Sequence, residues 1–146
     1  MNEDVTRFLG SHKIAVVGVS SSRLKFGSIA FRALKGKGYQ VLAVNSHMDR
    51  FEGQPCYSSL ASLPEPVDAA LITVKPSAAA AVVDDASEAG VRRLWFQDGA
   101  DFSKAAERAG KAGLETVTGK CILLYAEPVT GIHRVHRFLA KLFGRY

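Results

Sequence analysis

Cysteine is scarce: the 146 residues contain two, Cys56 and Cys121. Two thiols cannot form a disulfide scaffold, and a chain of this length can build a core without one. Both are expected to be reduced. Metal ligands are equally thin. His133 and His136 stand three apart, but no carboxylate or thiol is clearly placed to join them, so no metal site is expected. No apolar run approaches the roughly 20 residues of a membrane span. The opening residues Met1-Asn2-Glu3-Asp4 are acidic and lead into no apolar segment, so no signal peptide is expected and a cytoplasmic location is the default. Low-complexity stretches, internal repeats and long linkers are all missing, which points to one domain over residues 1–146.

Charge is present, and it is unbalanced. Nineteen Lys and Arg against fourteen Asp and Glu leave a net +5. Much of the excess is C-terminal, where Arg134, Arg137, Lys141 and Arg145 have no acidic neighbour. A basic balance suits an anionic small ligand. It also suits nucleic acid, but no strand face combines aromatic and basic residues, so that partner is not expected.

The hydrophobic pattern alternates between two periods. Residues 13–19 (KIAVVGV) form an apolar run with no polar face, as in a strand buried on both sides. A serine-rich loop follows, and residues 28–37 then carry apolar side chains at helical spacing up to Gly38. Further strands are expected at 39–44, 67–74, 91–96 and 114–117, the last extended or repeated at 121–125. Helices are expected at 76–89 and from about 101 to 112. Residues 47–66 read as a loop with a short helical turn near 58–61. Residues 130–143 form an amphipathic pattern with Ile132, Val135, Phe138, Leu139, Leu142 and Phe143 on one side. That stripe is expected to pack on the sheet, with a homodimer contact or another protein partner as the remaining uses. The whole is an α/β, Rossmann-like, doubly wound parallel sheet of about five strands with helices on both faces. The natural strand order is 3-2-1-4-5, with a ligand crevice at the carboxyl ends of strands 1 and 4.

The loop after the first strand is the best candidate site. Gly18 permits a sharp exit from the strand. Ser20, Ser21 and Ser22 offer hydroxyls and closely spaced N–H groups, and Arg23 and Lys25 add positive charge. Gly27 and the helix behind it bring free N–H groups and a positive dipole end, a combination that favours phosphate. Two common phosphate motifs do not match. The spacing G-x-G-x-x-G is absent, and so is Gly-Lys-Ser or Gly-Lys-Thr. The second strand ends at Asn45, where an NAD site wants an acid for the ribose hydroxyls.

These residues, in order, resemble a known family. Gly18-Val19-Ser20, Val44-Asn45, Cys56-Tyr57-Ser58-Ser59-Leu60 and Leu63-Pro64-Glu65-Pro66-Val67-Asp68 carry the first half of the likeness. Val74-Lys75-Pro76, Trp95-Phe96-Gln97-Asp98-Gly99-Ala100 and Gly119-Lys120-Cys121 carry the second. Together they resemble the small CoA-binding proteins, which share the CoA-binding domain of the succinyl-CoA synthetase α subunit. The likeness runs from about residue 12 to 121. It departs at Asn45-Ser46, where the family often has Asn-Pro, and in the first loop, which is often rich in proline and glycine. The resemblance implies coenzyme A, free or acylated, as the ligand. Gly18, Val19, Ser20, Ser21, Ser22, Lys25, Phe26 and Gly27 would hold its phosphates. Asn45, His47 and Arg50 would lie near the adenosine and 3′-phosphate. Val74, Lys75 and Pro76 would line the cleft, and Phe96, Gln97 and Asp98 would lie near the pantetheine arm. Cys121 would sit where a mixed disulfide with CoA can be imagined, against the plainer reading of a buried thiol. The synthetases carry their phosphorylated histidine on a second domain, so the expectation here is binding without catalysis. The alternatives are an NAD(P)-using redox domain and a basic Rossmann scaffold for a protein or nucleic-acid partner.

Overall fold

The structure, a computed structural model, describes residues 3–128. The amphipathic pattern expected at 130–143, with His133 and His136, lies outside the described residues. Strand β1 (Lys13–Val17) is buried along nearly its whole length because helices cover both faces of the sheet. Its side chains alternate. Ile14 and Val16 enter one core with Ala30, Phe31 and Leu34 of helix α2 (Phe26–Gly36). Ala15 and Val17 enter the other core, with Ala79, Val83 and Ala86 of α3 (Pro76–Ala89) and Ala105 and Ala109 of α4 (Ser103–Lys111).

The remaining strands are β2 (Gln40–Val44), β3 (Arg50–Phe51), β4 (Gln54–Tyr57), β5 (Ala69–Ile72), β6 (Arg93–Gln97) and β7 (Glu115–Lys120). Their spatial order is β3-β4-β2-β1-β5-β6-β7. All neighbours are parallel except β3 and β4, which form an antiparallel hairpin.

This corrects the expected strand assignment. The strand beside β2 is β4, inside the stretch read as a loop, and residues 67–74 supply β5 on the other side of β1. Counted over the parallel strands alone, the order is 3-2-1-4-5-6, so the expected pattern holds with one extra member. The crevice beside β1 is therefore bounded by β5 and not by residues 91–96. The hairpin escapes a reading by pattern for two reasons. β4 carries Pro55 and pairs with β2 at only two positions, Ala43 with Cys56 and Val44 with Tyr57. Its turn residues, Glu52 and Gly53, both have positive φ, 48° and 82°. A type I′ turn demands that, and glutamate seldom supplies it. Here Arg32 Nη1 donates to Glu52 Oε2 at 2.7 Å and holds the turn against α2.

Other boundaries differ as well. Helix α1 (Glu3–Leu9) was not expected; it buries Val5, Phe8 and Leu9, and Phe8 packs edge-on against Trp95 with centroids 5.3 Å apart. Residues 58–61 form no helix; Asp85 instead accepts the N–H groups of Leu60 and Ala61 at 2.6 and 3.1 Å. Residues 121–125 do not extend the sheet. The β6–β7 register shifts between Trp95 and Gln97, Gly119 has φ of 69°, and the chain turns into helix α5 (Ile122–Tyr125). Among the described residues no helix is long and apolar enough to cross a membrane.

Candidate functional site

The helix after β1 lies on one face and the helix after β5 on the other, so β1 and β5 flank the point where the winding reverses. Open α/β sheets take ligands at that place. Gly18 leaves β1 with φ of 113°, and its N–H still donates to Val44 O at 3.0 Å. A side chain there would strike Thr73 Oγ1 and stand 3.1 Å from the Val74 nitrogen. Gly27, in the first turn of α2, is held as tightly. A Cβ on it would run into the Gly18 carbonyl oxygen and stand 2.7 Å from Thr73 Oγ1. The loop is thus closed on itself by two glycines pressed against one threonine. That threonine is fixed in turn, because its N–H and its hydroxyl both donate to Val17 O, at 2.9 and 2.8 Å.

Serine hydroxyls set the rest of the loop. Ser28 is fully buried; its hydroxyl accepts the Ser20 N–H at 3.1 Å and donates to the Ser20 carbonyl at 2.7 Å. Ser20 Oγ accepts the Ser22 N–H at 3.1 Å, and Ser22 Oγ accepts the Leu24 N–H at 3.4 Å. The serines therefore first organise their own loop. Ser21, Ser22, Arg23 and Lys25 are exposed, and Val19 is buried beneath them. Lys25 ends the loop in an extended conformation, and among the described residues no side chain caps the first turn of α2. Its leading N–H groups at Phe26 and Gly27 are the kind of donors that hold phosphate.

Asn45 braces this loop from β2. Its Nδ2 donates to Val19 O at 2.6 Å and its Oδ1 accepts the His47 N–H at 2.7 Å. A carboxylate at this position would face the Val19 carbonyl, a physical reason for an amide where NAD sites carry an acid. His47 is exposed. Arg50 stands on β3, donates to Gly53 O at 2.8 Å, and lines a groove of about 190 Å³ together with Ser20, Ser21 and Arg23. The hairpin thus brings Arg50 to the first loop. It also brings Glu52, whose carboxylate shares the groove.

The other expected residues divide. Val74 is half-buried, with its backbone against Gly18, while Lys75 and Pro76 open α3 and are exposed. Phe96 and Gln97 are buried. Phe96 packs against Phe102, and Gln97 Oε1 accepts the Ile122 N–H at 3.2 Å. Only Asp98 of that trio is exposed. Cys56 and Cys121 are free thiols; burial pushes the Cys56 thiol above its ordinary range, while Cys121 sits half-buried ahead of α5. Among the described residues no three His, Cys, Asp or Glu gather as a metal site. The sequence reading missed Thr73 and the role of Ser28. A polar residue ending the all-apolar strand 69–72 was the available signal for Thr73.

A parallel sheet with a glycine-pinned loop at its switch point defines a Rossmann-like domain with its crevice at the carboxyl edge. The comparisons narrow this further: residues 12–127 match the family described as the CoA binding domain, and the chain belongs to that family. A conserved hypothetical protein from Pyrococcus furiosus is 41% identical, with a TM-score of 0.71 over 76% of this chain and 96% of that one. The dinucleotide-forming acetyl-coenzyme A synthetase 1 of Ca. Korarchaeum cryptofilum, solved with phosphate and ADP, is 30% identical with a TM-score of 0.68. That likeness covers 80% of this chain and 27% of the synthetase. The uncharacterized protein YneT of Bacillus subtilis (strain 168) is 25% identical over 112 residues, 77% of this chain and 83% of that protein.

Proposed function

We propose that this chain binds coenzyme A or its thioesters without itself transforming them. The pyrophosphate sits against the loop of residues 18–25 and the first turn of α2. The observation that carries this reading is the double glycine closure on Thr73. It packs the loop backbone tightly against Thr73 and α2, beside a helix start with no side-chain cap among the described residues. Preorganised donors bind an anion without a further ordering cost. The groove shared by Ser20, Arg23, Arg50 and Glu52 receives the adenosine end, where two arginines against one carboxylate, itself paired with Arg32, suit a 3′-phosphate better than the free ribose hydroxyls of NAD. Val74 and Lys75 flank the crevice, and the pantetheine arm runs past Asp98. The likeness to the synthetase spans 27% of that enzyme, so its ligation chemistry is not carried over to this chain.

Titration calorimetry at fixed salt tests the reading with CoA, 3′-dephospho-CoA and NAD. CoA is expected to bind, dephospho-CoA more weakly, and NAD weakest. NAD binding as tight as CoA would overturn it. Incubation with acetyl-CoA should leave the thioester intact; turnover would refute the non-catalytic half.

A further inference from the structure

At the same carboxyl edge of the sheet, the ends of β6 and β7 and the first turn of α4 line an open cavity of about 440 Å³. That volume is typical of a small-molecule site. Its apolar lining is Phe96 and Phe102, both buried with ring centroids 5.4 Å apart, and the half-buried Ala106. Its rim is polar, formed by Asp101, Ser103 and Thr118. The phosphate loop follows β1, and β7 lies three strands further on, roughly 14 Å across the sheet. An arm anchored at the loop and running along this edge past Asp98 arrives at the cavity with its free end.

The rim selects among occupants by charge. The amino end of α4 would draw an anion, but the chain already provides one. Asp101 accepts the Ser103 N–H at 2.9 Å. Its bonds to the Ser103 side chain and backbone keep its carboxyl below the ordinary range, with Lys104 the weakest contributor. A second carboxylate entering here meets the Asp101 carboxylate, which already takes the Ser103 N–H at that helix end. An uncharged group meets the phenylalanine lining.

We propose that this cavity receives the acyl group of a bound CoA thioester and selects short uncharged acyl groups over those ending in a carboxylate. The proposal rests on the CoA-binding reading above and adds the class of thioester. Each methylene moved from water onto that lining raises affinity about fourfold.

The test is titration of the full chain with CoA, acetyl-CoA, butyryl-CoA and succinyl-CoA, repeated on Ala106→Phe, which fills the cavity. Butyryl-CoA is expected to bind about tenfold or more tighter than CoA, from burial of its methylenes. Succinyl-CoA should bind no tighter than CoA. Ala106→Phe should cancel the butyryl gain and leave CoA affinity unchanged, with Thr118→Tyr as a second blocking variant. If both variants lose CoA itself they have failed to fold, and the series on the parent chain decides alone. Equal binding of butyryl-CoA and CoA, or succinyl-CoA as tight as butyryl-CoA, overturns the proposal while the CoA reading stands. A parent chain that binds neither CoA nor any thioester overturns both.

Discussion

The same substitution on one helix should have opposite signs at two positions. Gly27 is the second and Gly36 the last helical residue of α2. Replacing a helical glycine with alanine ordinarily stabilises by up to about 1 kcal/mol, because glycine loses more backbone freedom on folding. Among the described residues nothing lies within 4 Å of a Cβ on Gly36, so Gly36→Ala should show the gain, reduced to about 0.5 kcal/mol at the helix end. A Cβ on Gly27 collides with the Gly18 carbonyl oxygen, a backbone atom that cannot swing aside. Forcing a methyl into such a place costs about 1–3 kcal/mol, and the loop must open to admit it. The propensity gain offsets only part, so Gly27→Ala should destabilise by about 1–2 kcal/mol. In a chain of this size that is a fall in Tm of about 3–6 °C. Thr73→Ala should not rescue it, since the carbonyl contact remains. Urea denaturation of the three variants beside the parent measures all of this. A Gly27→Ala protein as stable as the parent would refute the claim that the loop is closed by contact.

Three further outcomes follow from the same geometry. Ser28→Ala removes both hydrogen bonds to the Ser20 peptide and should cost about 1–3 kcal/mol in urea unfolding. It should also weaken CoA more than adenosine, and equal weakening of the two would argue against a phosphate role for the loop. Asn45→Asp puts a carboxylate against the Val19 carbonyl and should destabilise by about 1–3 kcal/mol at neutral pH. Only the protonated carboxyl can donate to that carbonyl, so the folded state favours the proton. The variant's stability should therefore recover as pH falls and be lost as pH rises, and a pH-independent loss would contradict the assigned hydrogen bond. In a timed thiol-labelling experiment read by mass spectrometry, Cys121 should react well before Cys56. Cys56 is buried and its thiol is pushed up by that burial. Labelling of Cys56 first would mean that the β2–β4 edge opens in solution.

The apolar runs made β1, β5 and β6 legible, because strands buried on both faces leave nothing else for such runs to be. The helix closing at Gly90 and the loop at Gly18 were legible for the same local reason, a backbone that only glycine adopts easily. What escaped was set by tertiary contact. Glu52 holds a positive φ because Arg32 reaches it from α2, twenty residues earlier, and no local pattern announces that. With the hairpin unseen, the strand at 69–72 was placed on the wrong side of β1, and Thr73 was overlooked as the anchor of the loop. Helix α1 carried a usable signal, with acidic Glu3 and Asp4 ahead of Val5, Phe8 and Leu9 at helical spacing. Of the residues named for the site, Gly18, Gly27 and Val74 pack together at the end of β1. Gln97 is buried, and its Oε1 accepts the Ile122 N–H.

The most direct test of the account is a map of where CoA touches the chain. Backbone amide resonances of the isotope-labelled protein would be followed as CoA is added. The largest shifts are predicted at residues 18–28, with Val74 and Lys75 next and Arg50 moving with the adenosine end. Shifts confined to the opposite edge of the sheet, around Leu63 and Val91, with the amides of 18–28 unmoved, would contradict it.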